Sequence, residues 1–136
     1  MVNLPEDVFK IVNDPKSVKV LATKSAEGDV HAIVVGSVTA PNPSTIAFGA
    51  ILMKRSSKNL EGMRERHEMA SVLVNKDVQA FEIKASIKSF LTSGQLLDNM
   101  NIELKKNGLS ARGIWILEPQ EIWNQSASYE AGKRIA

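Results

Sequence analysis

The sequence predicts a mainly β protein: a closed or nearly closed barrel of six or seven antiparallel strands with three short helices. Three observations carry that expectation. Segments of alternating apolar and polar residues recur along the chain, which is the period of half-buried strands. The joints between the first three are short turn-forming runs, too brief for the crossover a parallel connection needs. Few prolines interrupt the apolar strands, so closure is a more economical way to remove exposed edges than a sandwich.

The elements follow in order. Pro5-Glu6-Asp7 opens a short helix, because proline has no N–H to leave unpaired there and the two carboxylates face the positive helix end. Val8, Ile11 and Val12 follow at helical spacing and Asn13-Asp14-Pro15 stops the run. So short a helix is stable only when it covers something larger. Ser17 to Ser25 alternates as a strand, Ala26-Glu27-Gly28-Asp29 is turn chemistry, and Val30 to Thr39 is dense in β-branched residues. Ala40-Pro41-Asn42-Pro43-Ser44 reads as a loop, and Thr45 to Leu52 as a third strand, the three forming an antiparallel meander. Ser57 is placed to cap a helix from Lys58 to about His67. Met69 to Val74 returns to strand, Asn75-Lys76-Asp77 turns, and Val78 to Leu91 is the longest extended segment. Its Phe81, Ile83, Ala85, Ile87 and Leu91 face one side, with Glu82, Lys84, Ser86 and Lys88 on the other. Ser93 caps a helix carrying Leu96, Leu97, Met100 and Leu104 that ends at Asn107-Gly108. A last strand spans Ala111 to Trp123, broken by Pro119, and the tail beyond is loose or packs on a partner.

Composition narrows the chemistry. The chain of 136 residues has no cysteine, which excludes thiolate nucleophiles, disulfide exchange and thiolate-held metal centres. Lys+Arg 17 against Asp+Glu 15 is too even for a general nucleic-acid binder, and four Phe, one Tyr and two Trp make a poor stacking platform. No apolar run approaches a membrane span, and Met1 to Asp7 lacks a signal peptide's basic and apolar regions, so a cytoplasmic domain is expected.

Chemistry concentrates between Phe48 and Leu60. A strand bearing Gly49 runs into Lys54, Arg55, Ser56, Ser57 and Lys58, where a helix begins. Unpaired N–H groups, hydroxyls and cations at such a junction suit an anion of phosphate size. From 54 to 66 there are five basic residues against two acidic, a balance of +3. The same residues equally describe a solvated helix start. His31 and His67 are far apart without metal-ligand spacing, and each reads as a surface or cap residue. Trp115 and Trp123 read as interface or core filling, and Glu61 and Glu65 as ion-pair partners of Arg64 and Arg66. Ser37, Ser56 and Ser57 have no evident histidine–carboxylate partner, so acyl transfer has no support. What remains is an anion site on an apolar barrel, suited to redox work only if a cofactor carries the chemistry.

In the order and spacing of its motifs, the chain resembles the pyridoxamine 5'-phosphate oxidase-like family of FMN-binding split β-barrels. Val20-Leu21-Ala22-Thr23-Lys24 through Val30-His31 to Gly36 is similar to the family's opening hairpin, with Val30 where a proline usually precedes the histidine. Thr45-Ile46-Ala47-Phe48-Gly49 resembles the third strand, and Lys54-Arg55-Ser56-Ser57-Lys58-Asn59-Leu60 the junction that holds the FMN phosphate. Met69 to Val74 and the long strand after it complete the likeness, with Ala85 where many members have glycine.

The resemblance implies one FMN-binding split-barrel domain over residues 1–136, and a homodimer with cofactor sites at the interface. The flavin ring would lie against Val34, Val35, Gly36, Phe48, Gly49 and Ala50, with backbone donors near Gly36 and Gly49, and the phosphate at Lys54, Arg55, Ser56, Ser57 and Lys58. It further implies a small oxidoreductase or electron-transfer protein whose electron partner is a nicotinamide or another protein. The alternative is a non-catalytic flavin or haem binder using His31 or His67. Arg112 and Arg134 stand isolated rather than forming the C-terminal arginine–histidine grip of a pyridoxamine phosphate oxidase, so that substrate is not expected.

Overall fold

The computed structural model describes residues 1–136. Its element order is α1 (Glu6–Asn13), β1 (Val18–Lys24), β2 (Val30–Val34), β3 (Thr39–Asn42), β4 (Thr45–Gly49), α2 (Lys54–Glu65), β5 (Met69–Lys76), β6 (Gln79–Leu91), α3 (Gln95–Lys105) and β7 (Ile114–Asn124). Seven strands form one antiparallel sheet in the order β2-β1-β5-β6-β7-β4-β3. The two outermost strands, β2 and β3, are joined by only residues 35–38. Four residues span little more than about 15 Å even when extended. The sheet must therefore curl until its two edges approach, without pairing to each other. That is a split barrel.

The expected meander is corrected here. β2 pairs only with β1, while β3 and β4 lie at the other edge against β7. Ala40-Pro41-Asn42, read as loop, is mostly strand. Proline lacks a ladder donor, but β3 is an edge strand whose outer side needs none. Pro119 likewise does not break the last strand; it sits opposite Ala85 at a register shift in the β6–β7 ladder.

Alternation on β6 holds as read from Phe81 to Ile87, all four odd-numbered residues being buried. A second irregularity between Ile87 and Ser89 then changes the parity, which leaves Leu91 exposed. The barrel interior joins Leu21, Ile46, Phe48, Val72, Ile83, Trp115 and Leu117 into one core. α1 covers one end of it with Val8, Ile11 and Val12, and Asn13 exchanges hydrogen bonds with the backbone of Ala40. α2 packs Leu60 and Met63 into the same core. α3 covers a smaller cluster of Ala47, Leu97, Ala111, Ile114 and Ile116, and Asn101 clasps the Ala111 backbone from both sides. The tail folds back on β7, with the Ile135 N–H donating to Ile122 and the Gly132 N–H to Asn124.

Candidate functional site

The chemistry converges beside β2, on the open edge of the sheet. Gly28, at φ +88°, makes the tight β1–β2 turn, in which the Ser25 N–H donates to the Asp29 carbonyl and the Asp29 N–H to Ser25 Oγ. That turn carries His31 toward α2. Arg55 and Lys58 rise from the first turns of α2, and His31 Nδ1 lies 3.5 Å from Arg55 Nη1. Between hairpin and helix is a hollow of about 600 Å³ lined by Glu27, Asp29, His31, Arg55, Lys58 and Arg66, among others.

The start of α2 differs from its expected form. The helix begins at Lys54 rather than Lys58, and Met53 stands at the cap position without a side-chain cap bond. Ser57 is consequently no cap. Its backbone N–H makes the first helical bond, to Met53, and its buried Oγ accepts from Trp115 Nε1 at 3.2 Å. Three amides, those of Lys54, Arg55 and Ser56, precede that first bond. Ser56 Oγ is buried without any hydrogen-bond partner. The first turn holds no acid but two cations, Lys54 and Arg55. Positive charge there opposes the helix dipole, and neither Lys54, Arg55 nor Lys58 has a carboxylate partner to relieve it. Arg55, Lys58 and the unbonded amides have the chemistry of an anion site, while the Ser56 hydroxyl is buried outside the hollow.

Further along β2 the surface turns apolar. A cleft of about 840 Å³ runs between Ile33, Val34, Val35, Gly36 and Gly49 on one side and Leu96, Met100 and Leu104 of α3 on the other. Gly49 lets α3 approach, since a Cβ there would stand 2.8 Å from Met100 Sδ. Its N–H donates to Ser37 Oγ at 3.0 Å and so is not free for a ligand. Leu52, between cleft and helix, is 92% exposed and held at φ +52°. A left-handed leucine fully in solvent is a strained arrangement.

Of the residues named from sequence, Arg55 and Lys58 meet in the hollow, and Val34, Val35, Gly36 and Gly49 line the cleft. Lys54 lines neither, while the side chains of Phe48 and Ala50 are buried in the barrel core. Ser57 is committed to Trp115. His31, read as a surface or cap residue, is beside the anion site; His67 is exposed, at φ +57°, outside both cavities. Glu61, Glu65 and Arg64 make no ion pair, and Arg66 pairs with Glu68 instead. Asn59, Gly62 and Arg66 were missed. Their spacing with Arg55 and Lys58 puts all five on one helix stripe, a signal present in the sequence.

Other charges near the barrel are structural. Lys76 pairs with Asp14, holding that carboxyl below its usual range, and the Lys24 and Arg66 side chains do the same to Glu68. Lys19 is 5% exposed on β1, and burial pushes its ammonium down.

No protein-family model matches the chain, and no curated protein matches it in sequence. Solved structures do. HupZ of Group A Streptococcus superposes with a TM-score of 0.76 at 11% identity, covering 100% of both chains. An FMN-binding protein from Syntrophomonas wolfei gives 0.71 at 14% identity, covering 88% of this chain and 84% of its own. A pyridoxamine 5'-phosphate oxidase-related, FMN binding protein from Nostoc punctiforme gives 0.57 at 8% identity, covering 88% and 78%. An F420 reductase (0.67) and a heme binding protein from Mycobacterium smegmatis (0.61) share the fold. At these identities the likeness establishes the fold: a split β-barrel of the pyridoxamine 5'-phosphate oxidase-like type.

Proposed function

We propose that this chain binds FMN, as a small oxidoreductase or electron-transfer protein, with the phosphate at the Arg55–Lys58 hollow and the ring toward the apolar cleft. The observation that carries this is the continuity of the two along β2. His31 belongs to the hollow and Ile33 to the cleft, two residues and about 7 Å apart on the same face of one strand. A ligand lying along β2 therefore meets a cationic end and an apolar end, as an aromatic ring with a phosphate-bearing tail requires. Bound flavin would supply the redox chemistry itself. The chain's part is to read the phosphate through Arg55 and Lys58 and to keep water from one face of the ring with Val34, Met100 and Leu104.

The reading includes a homodimer. Register sets Val34 beside Val20 and Val20 beside Leu73 across β2-β1-β5, on a face where Val34 is 70% exposed. Trp115, read as interface or core filling, is 1% exposed and fills the core, so this apolar row is the better candidate. Sedimentation giving a concentration-independent monomer would remove the dimer from the proposal.

Parallel titration with FMN and riboflavin tests the site. A charge-assisted contact is worth about 1.5–3 kcal/mol, so loss of the phosphate should weaken binding at least about tenfold. Equal dissociation constants would sink it. Bleaching of the flavin absorbance by NADH or NADPH would then separate a turnover protein from a store.

A further inference from the structure

The cationic stripe of α2 is longer than a single phosphate. Arg55, Lys58, Asn59, Gly62 and Arg66 all line the hollow. Arg55 leans on His31 at one end. Arg66 is fixed at the other: its Nε donates to Glu68 Oε1 at 2.6 Å, and its guanidinium lies back over Gly62, where a Cβ would stand 2.8 Å from Nη1. Glycine leaves that seat open, and a methyl group there would push the guanidinium aside. Seven helical residues separate positions 55 and 62, about 10 Å along the axis. The two anchored cations thus mark opposite ends of the stripe, and Lys58 stands unpaired between them.

Glu68 does not cancel this charge. Its single carboxylate also takes Lys24 Nζ at 2.8 Å, so one negative charge serves two cations. The opposite wall, Glu27 and Asp29 on the hairpin, is exposed and pairs with none of the helix cations. At about 600 Å³, the hollow has the size of a site for much of a small ligand rather than for one tetrahedral anion.

We propose that the end of the hollow around Arg66 is a second anion subsite, and that the ligand filling the whole groove carries two anionic groups, as a flavin diphosphate ester does. This rests on the anion reading of the Arg55 end and extends it. Arg66 then discriminates by tail length rather than by the presence of a phosphate.

Riboflavin, FMN and FAD, titrated against the full chain and against Arg66→Gln and Gly62→Ala, test it. The unaltered protein is expected to bind FAD at least as tightly as FMN. Arg66→Gln should weaken FAD about tenfold and FMN less than about threefold. Gly62→Ala keeps every charge but fills the seat, and should act in the same direction; if it does not fold, Arg66→Gln alone decides. FAD binding weaker than FMN in the unaltered protein, or an equal effect of Arg66→Gln on both, overturns the second subsite while leaving the first intact. Equal binding of all three flavins overturns the anion reading itself, and this subsite with it.

Discussion

His31 Nδ1 lies 3.5 Å from Arg55 Nη1, although the two residues are 24 positions apart and belong to different elements. One is on the edge strand and the other in the first turn of α2. With its Nδ1 unprotonated the imidazole accepts from that guanidinium, and both side chains face the hollow.

Arg55→Ala is therefore expected to weaken FMN about tenfold at low salt and leave riboflavin almost unchanged. The loss should shrink at high salt, as screening requires for an exposed cation. His31→Ala should lower the same discrimination, by a smaller factor of about three. Fluorescence titration of both flavins at two ionic strengths checks this, and full discrimination in His31→Ala would show that the contact has no bearing on the anion.

Ser57→Ala should cost stability by a route other than a lost cap. It strands the buried Trp115 N–H, a penalty of about 1–3 kcal/mol. Urea unfolding measures the cost, and a shift in tryptophan emission marks its source. FMN and riboflavin affinities should fall together or not at all.

Gly113→Ala tests the packing under α3. A Cβ at that position would lie 2.3 Å from Phe90 Cζ and 2.8 Å from the Leu91 carbonyl oxygen, so the ring and the backbone of β6 must both move. A loss of about 1–3 kcal/mol is expected. Thermal melting that matches the parent would mean that β6 gives way freely there.

Acid should loosen the hairpin and α1 before the barrel. Asp14 and Glu68 both titrate below their ordinary values because cationic side chains hydrogen-bond them. Groups depressed in the folded state add stability that is fully present above the unfolded carboxylate range, near pH 4, and disappears as pH falls through the folded value. Lys76, raised by Asp14, adds stability that is complete below its unfolded value and lost as pH rises through the folded one. Asp14→Asn should remove the Asp14 and Lys76 dependences at once and leave the acid loss due to Glu68, in pH-resolved melting curves.

Much of the barrel was legible. The alternation of Phe81, Ile83, Ala85 and Ile87 located β6, and the turn around Gly28 located the first hairpin. Pro41 and Pro43 hid β3, because proline argues against a strand unless that strand is at an edge, and edges are set by the whole sheet. The start of α2 was misplaced because serine commonly caps, whereas Ser56, Ser57 and Asn59 here face inward, with Asn59 donating to Thr23 Oγ1. The cations of the site were visible as a cluster. Their meeting with His31 was not, since contact across 24 residues depends on where the β1–β2 hairpin docks.

The same edge-to-edge link that curls the sheet also orders its assembly. The β1–β2 and β5–β6 hairpins join neighbours in the chain, so their loops close cheaply and early. Ile46, by contrast, pairs with Leu117, 71 positions away, and no shorter path brings β4 to β7. Until that ladder forms, the β3–β4 hairpin has no sheet to join, and the flank of β4 that faces β7 stays open to other chains. Folding should thus be slow for the chain's size, with β4 docking last, and a crowded refolding mixture should lose material at that step.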